Sequence, residues 1–343
     1  MPSYEEWREV LRGERLPAVV VDLEAFDRNV ARLVEYLRVD GRVSKALRLA
    51  TKSVRVPALL ERVLKSGVPY KGLMCYSAEE ARWLASQGFK DLLLAYPTVQ
   101  ESDLRAVRAA VDAGASLRLM VDSKEGIERA AQAMRGAARP LDLAVDVDAS
   151  LRLLGGLVHL GVRRSPVRSA ADVGRLLDAA AKFPREVRLT GAMAYEAQVA
   201  GLGDRNPFKK LVNPVAKLIR ALSVRHVARL RAEVAEEFRR RSAPLELFNG
   251  GGTGSVNYAA HEGCLTELSA GSGLLCSHLF DYYSNVHFEP ACFFALQATR
   301  ASDDGYVTCQ GGGYVASGEP GRDRLPVPHL PKGTKLVAME GTG

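Results

Sequence analysis

The sequence is short of paired cysteines, long apolar runs and clustered histidines, and each shortage closes off a class of protein. Its five cysteines (Cys75, Cys264, Cys276, Cys292 and Cys309) are dispersed and odd in number, with no CxxC pair. They argue against a disulfide framework and fit a reducing cytoplasm. No stretch approaches the roughly 18 apolar residues of a membrane-spanning helix, so no membrane partner is expected. Met1 to Val10 carries Glu5, Glu6 and Arg8 where a signal peptide would need an apolar core. His159, His278 and Cys276 have no zinc-type spacing. Acid does not dominate either: the net charge is +7. That surplus is spread over predicted helices, apart from Arg239, Arg240 and Arg241 at the end of a long one. Cations there complement the helix dipole, so the block reads as capping and no nucleic-acid partner is expected. A mildly basic chain also suits an anionic cofactor or substrate.

What is present is a core-forming chain: 343 residues, 47% of them apolar, enough for one large barrel or two ordinary domains. Met1 to Gly13 reads as a short amphipathic helix and Pro17 to Val21 as a strand, with Asp22 placed to cap a helix over 23–39. Short apolar runs then alternate with amphipathic helices. Eight strands are predicted, at Leu47–Ala50, Gly72–Met74, Leu92–Leu94, Leu117–Val121, Leu141–Val147, Val187–Met193, Leu245–Phe248 and Leu265–Leu268. Helical patterns between them include Ser77–Ser86, Val99–Ala113, Lys124–Arg135, Ser169–Lys182 and Ala216–Arg240. Such alternation indicates a parallel sheet, and eight units over about 220 residues point to a closed (β/α)8 TIM barrel. After Tyr283 two β-type runs, Phe288–Thr299 and Tyr306–Gly311, have no helix between them. Glycine and proline follow, and the chain stops at Glu340-Gly-Thr-Gly without a closing strand. The expected organisation is an N-terminal helix (1–15), a barrel (16–285) and a small, apparently incomplete β-domain (286–343).

In a TIM barrel the chemistry sits at the C-terminal ends of the strands, and the loops after strands seven and eight often hold a phosphate. Strand one ends Leu47-Arg-Leu-Ala-Thr-Lys52. A lysine there suits covalent amine chemistry, although most lysines are solvated surface charges. The loop after strand seven, Asn249-Gly-Gly-Gly-Thr-Gly-Ser255, offers close backbone approach, two hydroxyls and a helix start near Ser255. Ala270-Gly-Ser-Gly273 stands in the companion position after strand eight. Either loop alone is an ordinary turn; the pair in these two places reads as a phosphate site. Asp146 and Asp148 after strand five suggest a metal pair, with capping or strand-end solvation the commoner role. Arg163 and Arg164 follow, as a carboxylate clamp, a ring-nitrogen contact or a solvated pair. Tyr195 after strand six packs on a flat cofactor, relays a proton or is a rim aromatic.

With these pieces in place the chain resembles the fold-type III pyridoxal phosphate enzymes, and within them the D-threonine aldolase and D-serine dehydratase group of amino acid aldolases and racemases. The likeness runs from about Leu16 onward. It is carried by Pro17-Ala-Val-Val-Val-Asp-Leu, Ala50-Thr-Lys-Ser, His159-Leu-Gly-Val-Arg-Arg-Ser-Pro, Gly191-Ala-Met-Ala-Tyr-Glu, Gly250-Gly-Gly-Thr-Gly-Ser and Glu267-Leu-Ser-Ala-Gly-Ser.

The resemblance implies a barrel of the alanine racemase N-terminal type. Lys52 would bind pyridoxal 5'-phosphate covalently. Arg164 would lie near the pyridine nitrogen and keep it largely unprotonated. Tyr195 would line the cofactor and substrate site. Gly252, Thr253, Gly254 and Ser255, with Gly271 and Ser272, would hold the phosphate. The implied activity is aldol cleavage of a small β-hydroxy amino acid, of D configuration, with dehydration and racemisation as alternatives and a pyridoxal phosphate carrier without turnover as the alternative of another class. A racemase would need a second base, for which Tyr314 is a candidate. A cytoplasmic homodimer is the expected state. Two departures stand out. The aldolases carry a histidine shortly after the Tyr-Glu pair, where this chain has Gln198, which hydrogen-bonds but cannot act as a base near neutral pH. A divalent metal is possible, but its usual ligands in the family fall beyond Gly343.

Overall fold

The computed structural model describes residues 2–67, 69–211, 213–311, 323 and 325–337. The chain forms two compact units, one of Leu33–Leu202 with Pro214–Ser272, the other of Met1–Arg32, Gly203–Asn213 and Gly273–Gly343.

The first unit holds a closed parallel barrel of eight strands: Ala46–Ala50, Tyr70–Cys75, Asp91–Leu94, Ser116–Val121, Leu141–Asp146, Val187–Met193, Leu247–Gly250 and Glu267–Ala270. Strands adjacent in sequence are adjacent in the sheet, and the eighth closes on the first, Leu268 beside Leu47. The (β/α)8 barrel expected from the alternation is therefore the fold. The first six predicted strands overlap the observed ones closely. The last two lie two residues further along, because strand seven runs through Asn249-Gly250 and strand eight through Ser269-Ala270.

The helices begin where hydroxyl side chains can satisfy their unpaired amides. Ser77 Oγ accepts from Glu80 N at 3.2 Å, Ser123 Oγ from Gly126 N at 3.1 Å, and Ser169 Oγ from Asp172 N at 3.2 Å. Pro57 occupies the first turn of the helix Pro57–Lys65, where its missing N–H costs nothing.

Alternation along each strand sends one set of side chains to the helices and one into the barrel. Leu47 and Leu49 of strand one are fully buried. Arg48 between them contacts Glu267 of strand eight and Asp91 of strand three, and its Nη1 also reaches Leu73 O of strand two at 3.4 Å. Only a side chain inside the barrel can reach three other strands. Leu93, Met120, Ala144, Met193 and Leu247, with Met74 against them, form an apolar layer of the interior.

The polar layer is tightly paired. Arg48 Nε and Nη2 donate to the two Glu267 oxygens at 2.6 and 2.8 Å, and Asn249 Nδ2 donates to Glu267 Oε1 and Ser269 Oγ at 2.7 and 2.8 Å. Burial pulls the Arg48 guanidinium toward losing its proton, but Glu267 and Asp91 outweigh it and hold the charge firmly.

In the second unit, Ala18–Val21 pairs antiparallel with Cys292–Ala295, and Gln297–Ala301 with Val307–Gln310. Asp22 Oδ1 caps the following helix by accepting from Ala25 N at 2.9 Å. Asn29 Nδ2 donates to Leu274 O (3.0 Å) and Glu289 O (2.7 Å), joining distant stretches of chain.

Among the described residues no helix is long and apolar enough to cross a membrane. The Arg239–Arg241 block lies at the end of the helix Asn213–Arg240 and is engaged in ion pairs, Arg239 with Glu236, Arg240 with Glu237, and Arg241 with both Glu237 and Asp178.

Candidate active site

Lys52 lies in a single 3-10 turn, Thr51–Ser53, directly after barrel strand one. Thr51 is buried and its Oγ1 donates to Met74 O of strand two at 3.0 Å, which pins the turn to the barrel rim. Lys52 itself is exposed, and among the described residues no carboxylate stands within ion-pair distance of it. The amine is thus anchored by its backbone while its side chain stays available.

The loops after strands seven and eight converge on one another and on that turn. Thr253 Oγ1 accepts from Gly271 N at 3.4 Å and lies 3.2 Å from Ser272 Oγ. A Cβ on Gly271 would sit 2.7 Å from Ala50 O and 3.1 Å from Ser53 Cβ, so only glycine lets loop eight press against the lysine turn. On the other side, a Cβ on Gly252 would meet Ala200 Cβ at 2.9 Å and Tyr195 Cε2 at 3.1 Å, which brings the tyrosine ring against the glycine loop. Lys52, Tyr195, Gly252, Thr253, Gly271 and Ser272 therefore share one end of the barrel. Ser255 is there too, but buried, with its hydroxyl donated to Glu196 Oε1 at 2.6 Å while accepting from Gly252 N at 3.0 Å. Gly254 completes the turn between them. The helix beyond, Val256–Ala259, is a single turn. Any charge it lends an anion is slight, and anion holding falls to amides and hydroxyls.

Arg164 stands at the ends of strands three and five. Its Nη2 lies 3.3 Å from Asp146 Oδ2 and donates to Ala95 O at 3.4 Å, with the guanidinium 5.3 Å from the Tyr96 ring centroid. Burial pushes the Asp146 carboxyl up to about 6, against the pull of Arg164. Asp148 turns elsewhere, accepting from Ser150 N at 2.9 Å and pairing with Arg152 and Arg168. The two aspartates thus serve arginines and a loop amide rather than one shared point. Gln198 is buried; its Nε2 donates to Ala149 O at 2.7 Å, and its Oε1 has no partner among the described residues. Tyr314 falls outside the described residues.

Sequence reading passed over Glu196 and Arg231. The one available signal was Glu196 beside Tyr195; nothing distinguished Arg231 from the other arginines of its helix.

The set fits pyridoxal phosphate. The lysine is anchored yet accessible, two close-approach glycines flank hydroxyls suited to a phosphate, an aromatic ring lies alongside, and an arginine is held by a carboxylate. Residues 21–248 match the family model for the alanine racemase N-terminal domain. The chain belongs to that family. It is 28% identical to a D-threonine aldolase from Arthrobacter sp over 81% of this chain and 65% of that protein. It is 25% identical to a 3-hydroxy-D-aspartate aldolase from Paracoccus denitrificans (strain Pd 1222) over 75% of this chain and 59% of the relative. It therefore spans about three fifths to two thirds of the length of these curated relatives. The crystal structure of D-threonine aldolase from Filomicrobium marinum shares the fold, with a TM-score of 0.71 and 22% identity, covering 87% of this chain and 73% of that one. The family likeness read from the sequence therefore holds.

Proposed function

We propose that this chain is an enzyme that binds pyridoxal 5'-phosphate through Lys52 and cleaves a small β-hydroxy D-amino acid in the aldol sense. The observation that carries the reading is the convergence of the Lys52 turn with two glycine-bearing loops, through Gly271 against Ala50 and Thr253 against Ser272. The curated relatives support the substrate class, since D-threonine and 3-hydroxy-D-aspartate are both β-hydroxy D-amino acids.

When bound, pyridoxal phosphate supplies the electron-accepting ring that labilises the bonds at the amino acid's Cα. The chain's own residues do the rest. Lys52 Nζ holds the cofactor and is the amine available to carry a proton to or from the substrate. Gly252, Thr253, Gly254 and Ser255, with Gly271 and Ser272, hold the phosphate by backbone and hydroxyl contacts. Tyr195, held against Gly252, would line the cofactor and limit the orientations open to the substrate. Arg164, paired with Asp146, would disfavour protonation of the cofactor's ring nitrogen. Gln198 takes up no proton near neutral pH. That specific departure from the aldolases makes dehydration or racemisation the second reading. Residues beyond the barrel favour an enzyme over a carrier. We also infer a homodimer in the cytoplasm, by analogy with the fold class and from five unpaired cysteines, with a functional barrel over 16–285 and a β-domain over 286–343.

The test is direct. The purified protein should take up pyridoxal phosphate with a visible absorption band, and borohydride should fix the label on Lys52. D-Threonine, D-serine and D-alanine, each with and without a divalent metal, separate the reactions. Glycine with acetaldehyde marks the aldolase, a keto acid with ammonia the dehydratase, and an L-enantiomer the racemase. A colourless protein, or label on another lysine, overturns the proposal; label without any product supports a carrier.

A further inference from the structure

Behind the glycine loop lies a charge network that the proposed chemistry leaves unused. Glu196 is 3% exposed, and both of its oxygens are turned to the loop. Ser255 Oγ donates to Oε1 at 2.6 Å and Gly251 N to Oε2 at 3.2 Å. On its other side stands Arg231 of the long helix Asn213–Arg240, fully buried. Arg231 pairs with Glu196 Oε2, lies 2.5 Å from Glu262 Oε1, and donates to Ala194 O from Nε (3.2 Å) and Nη2 (2.6 Å). A Cβ on Gly250 would lie 2.5 Å from Arg231 Nη2, so the guanidinium packs directly on the loop's first glycine. Gly251 then takes a positive φ of 77°, which glycine alone adopts without strain, and turns its N–H toward Glu196.

A buried carboxylate close to a phosphate site is unfavourable unless it is neutralised and its lone pairs are used. Both conditions are met. Glu196 is matched by Arg231, and its hydrogen bonds hold the two ends of the turn Gly252–Gly254 at Gly251 and Ser255. That fixes Thr253 where its hydroxyl meets Gly271 and Ser272.

We infer that Glu196, neutralised by Arg231, is the positioning residue that sets the phosphate-holding turn. It shapes the loop without touching the ligand. The inference rests on reading that turn as the phosphate site.

The experiment compares pyridoxal 5'-phosphate, pyridoxal and inorganic phosphate on the purified full chain, by calorimetry and the visible band. Glu196→Gln keeps the size but loses the charge and one acceptor. It should weaken pyridoxal phosphate and inorganic phosphate by about tenfold or more, the usual consequence of losing charge-assisted hydrogen bonds. Pyridoxal, which lacks the phosphate, should bind the variant and the wild type alike. Glu196→Asp should recover part of the loss. A residue with only a structural role would lower all ligands together, so parallel loss overturns the inference, as does unchanged phosphate affinity. A wild type that takes pyridoxal but neither phosphate ligand would overturn the phosphate reading and this inference with it, a result distinct from a variant that matches a phosphate-binding wild type. If Glu196→Gln does not fold, Glu196→Asp, which keeps the charge beside Arg231 but shortens the reach to Gly251 and Ser255, must still show a partial loss confined to the two phosphate ligands.

Discussion

The two sides of the barrel mouth are built on opposite terms. In the loops after strands seven and eight most described buried polar groups are matched, Thr253 with Gly271 and Ser272, and Ser255 and Gly251 with Glu196 of the strand-six loop, itself paired with Arg231, with Glu262 Oε2 an exception. Around strands five and six, Ser150 Oγ, Gln198 Oε1 and both ring nitrogens of His159 are buried without a partner among the described residues. A Cβ on Gly161 would sit 2.8 Å from that orphaned Gln198 oxygen and 3.0 Å from Ser150 Cβ, so these groups are close-packed as well as unsatisfied. Unpaired buried polar groups cost stability, and natural proteins keep few of them. The difference teaches where the chain is rigid and where it is free to vary. A matched network fixes one geometry, as a phosphate anchor needs. The unmatched side can accept substitution at Gln198 with little structural consequence.

The largest effect expected concerns neither side but the lysine between them. Lys52→Ala should abolish borohydride-stable labelling and lower turnover by roughly a thousandfold or more, since a covalent amine has no substitute. Retained labelling would remove Lys52 from the site.

The comparison itself is broken most sharply by Arg231→Met. Removing this cation leaves Glu196 and Glu262 buried and opposed, and should cost ~3–5 kcal/mol in chemical denaturation. Gln198→Leu, on the unmatched side, should change stability by ~1 kcal/mol or less, because it gives up one hydrogen bond but also an unsatisfied oxygen. Its effect should fall on the ratio of aldol to dehydration products. Equal destabilisation by the two variants would show that the two sides are not different in kind. Between them in size, Gly271→Ala should cost ~1–3 kcal/mol by forcing a methyl against Ala50 O. It should also speed cofactor loss, followed as decay of the visible band after dilution.

Much of this was legible in the sequence, for physical reasons that also explain what was not. Strand and helix periods differ, so alternation alone gave the barrel, and the serines at 77, 123 and 169 mark helix starts by the chemistry of capping. Strands seven and eight were read two residues early because Asn249, Gly250 and Ser269 look like loop residues. They can lie in a sheet because Asn249 and Ser269 hydrogen-bond each other and Asn249 also bonds Glu267, a pairing that exists only once the barrel closes. Arg48 was hidden for the same reason: alternation within Leu-Arg-Leu does not say which face meets solvent, and Arg48 is among the largest fully buried side chains. The strand at Ala18–Val21 and the run Phe288–Thr299 that holds its partner Cys292–Ala295 were both visible, but their pairing spans some 270 residues, beyond the reach of any local pattern. The site lysine, tyrosine and glycines stood out by position along the fold. Glu196 and Arg231 did not, since their roles depend on a helix folding back over strand six.

The smallest effect tests the unmatched side by pH. Asp146 ionises at about 6 in the folded chain, above the 3.8 of an unperturbed aspartate, chiefly because burial opposes its charge. Between these values the folded form therefore binds more protons than the unfolded chain. Its contribution to stability is full below about pH 4 and is lost as pH rises through about 6, with a slope of at most about 1.4 kcal/mol per pH unit for one proton. Asp146→Asn should flatten the pH dependence of the melting temperature across this window. Arg164 should then lose its carboxylate partner at every pH, so any pH step in cofactor absorbance near 6 that reports the Asp146–Arg164 pair should vanish with it. A slope that survives in the variant would assign the window to Asp122, whose carboxyl is also held up by burial. In that case Asp146 would already be ionised throughout, and the pairing with Arg164 would belong to the matched part of the site rather than to the part left free.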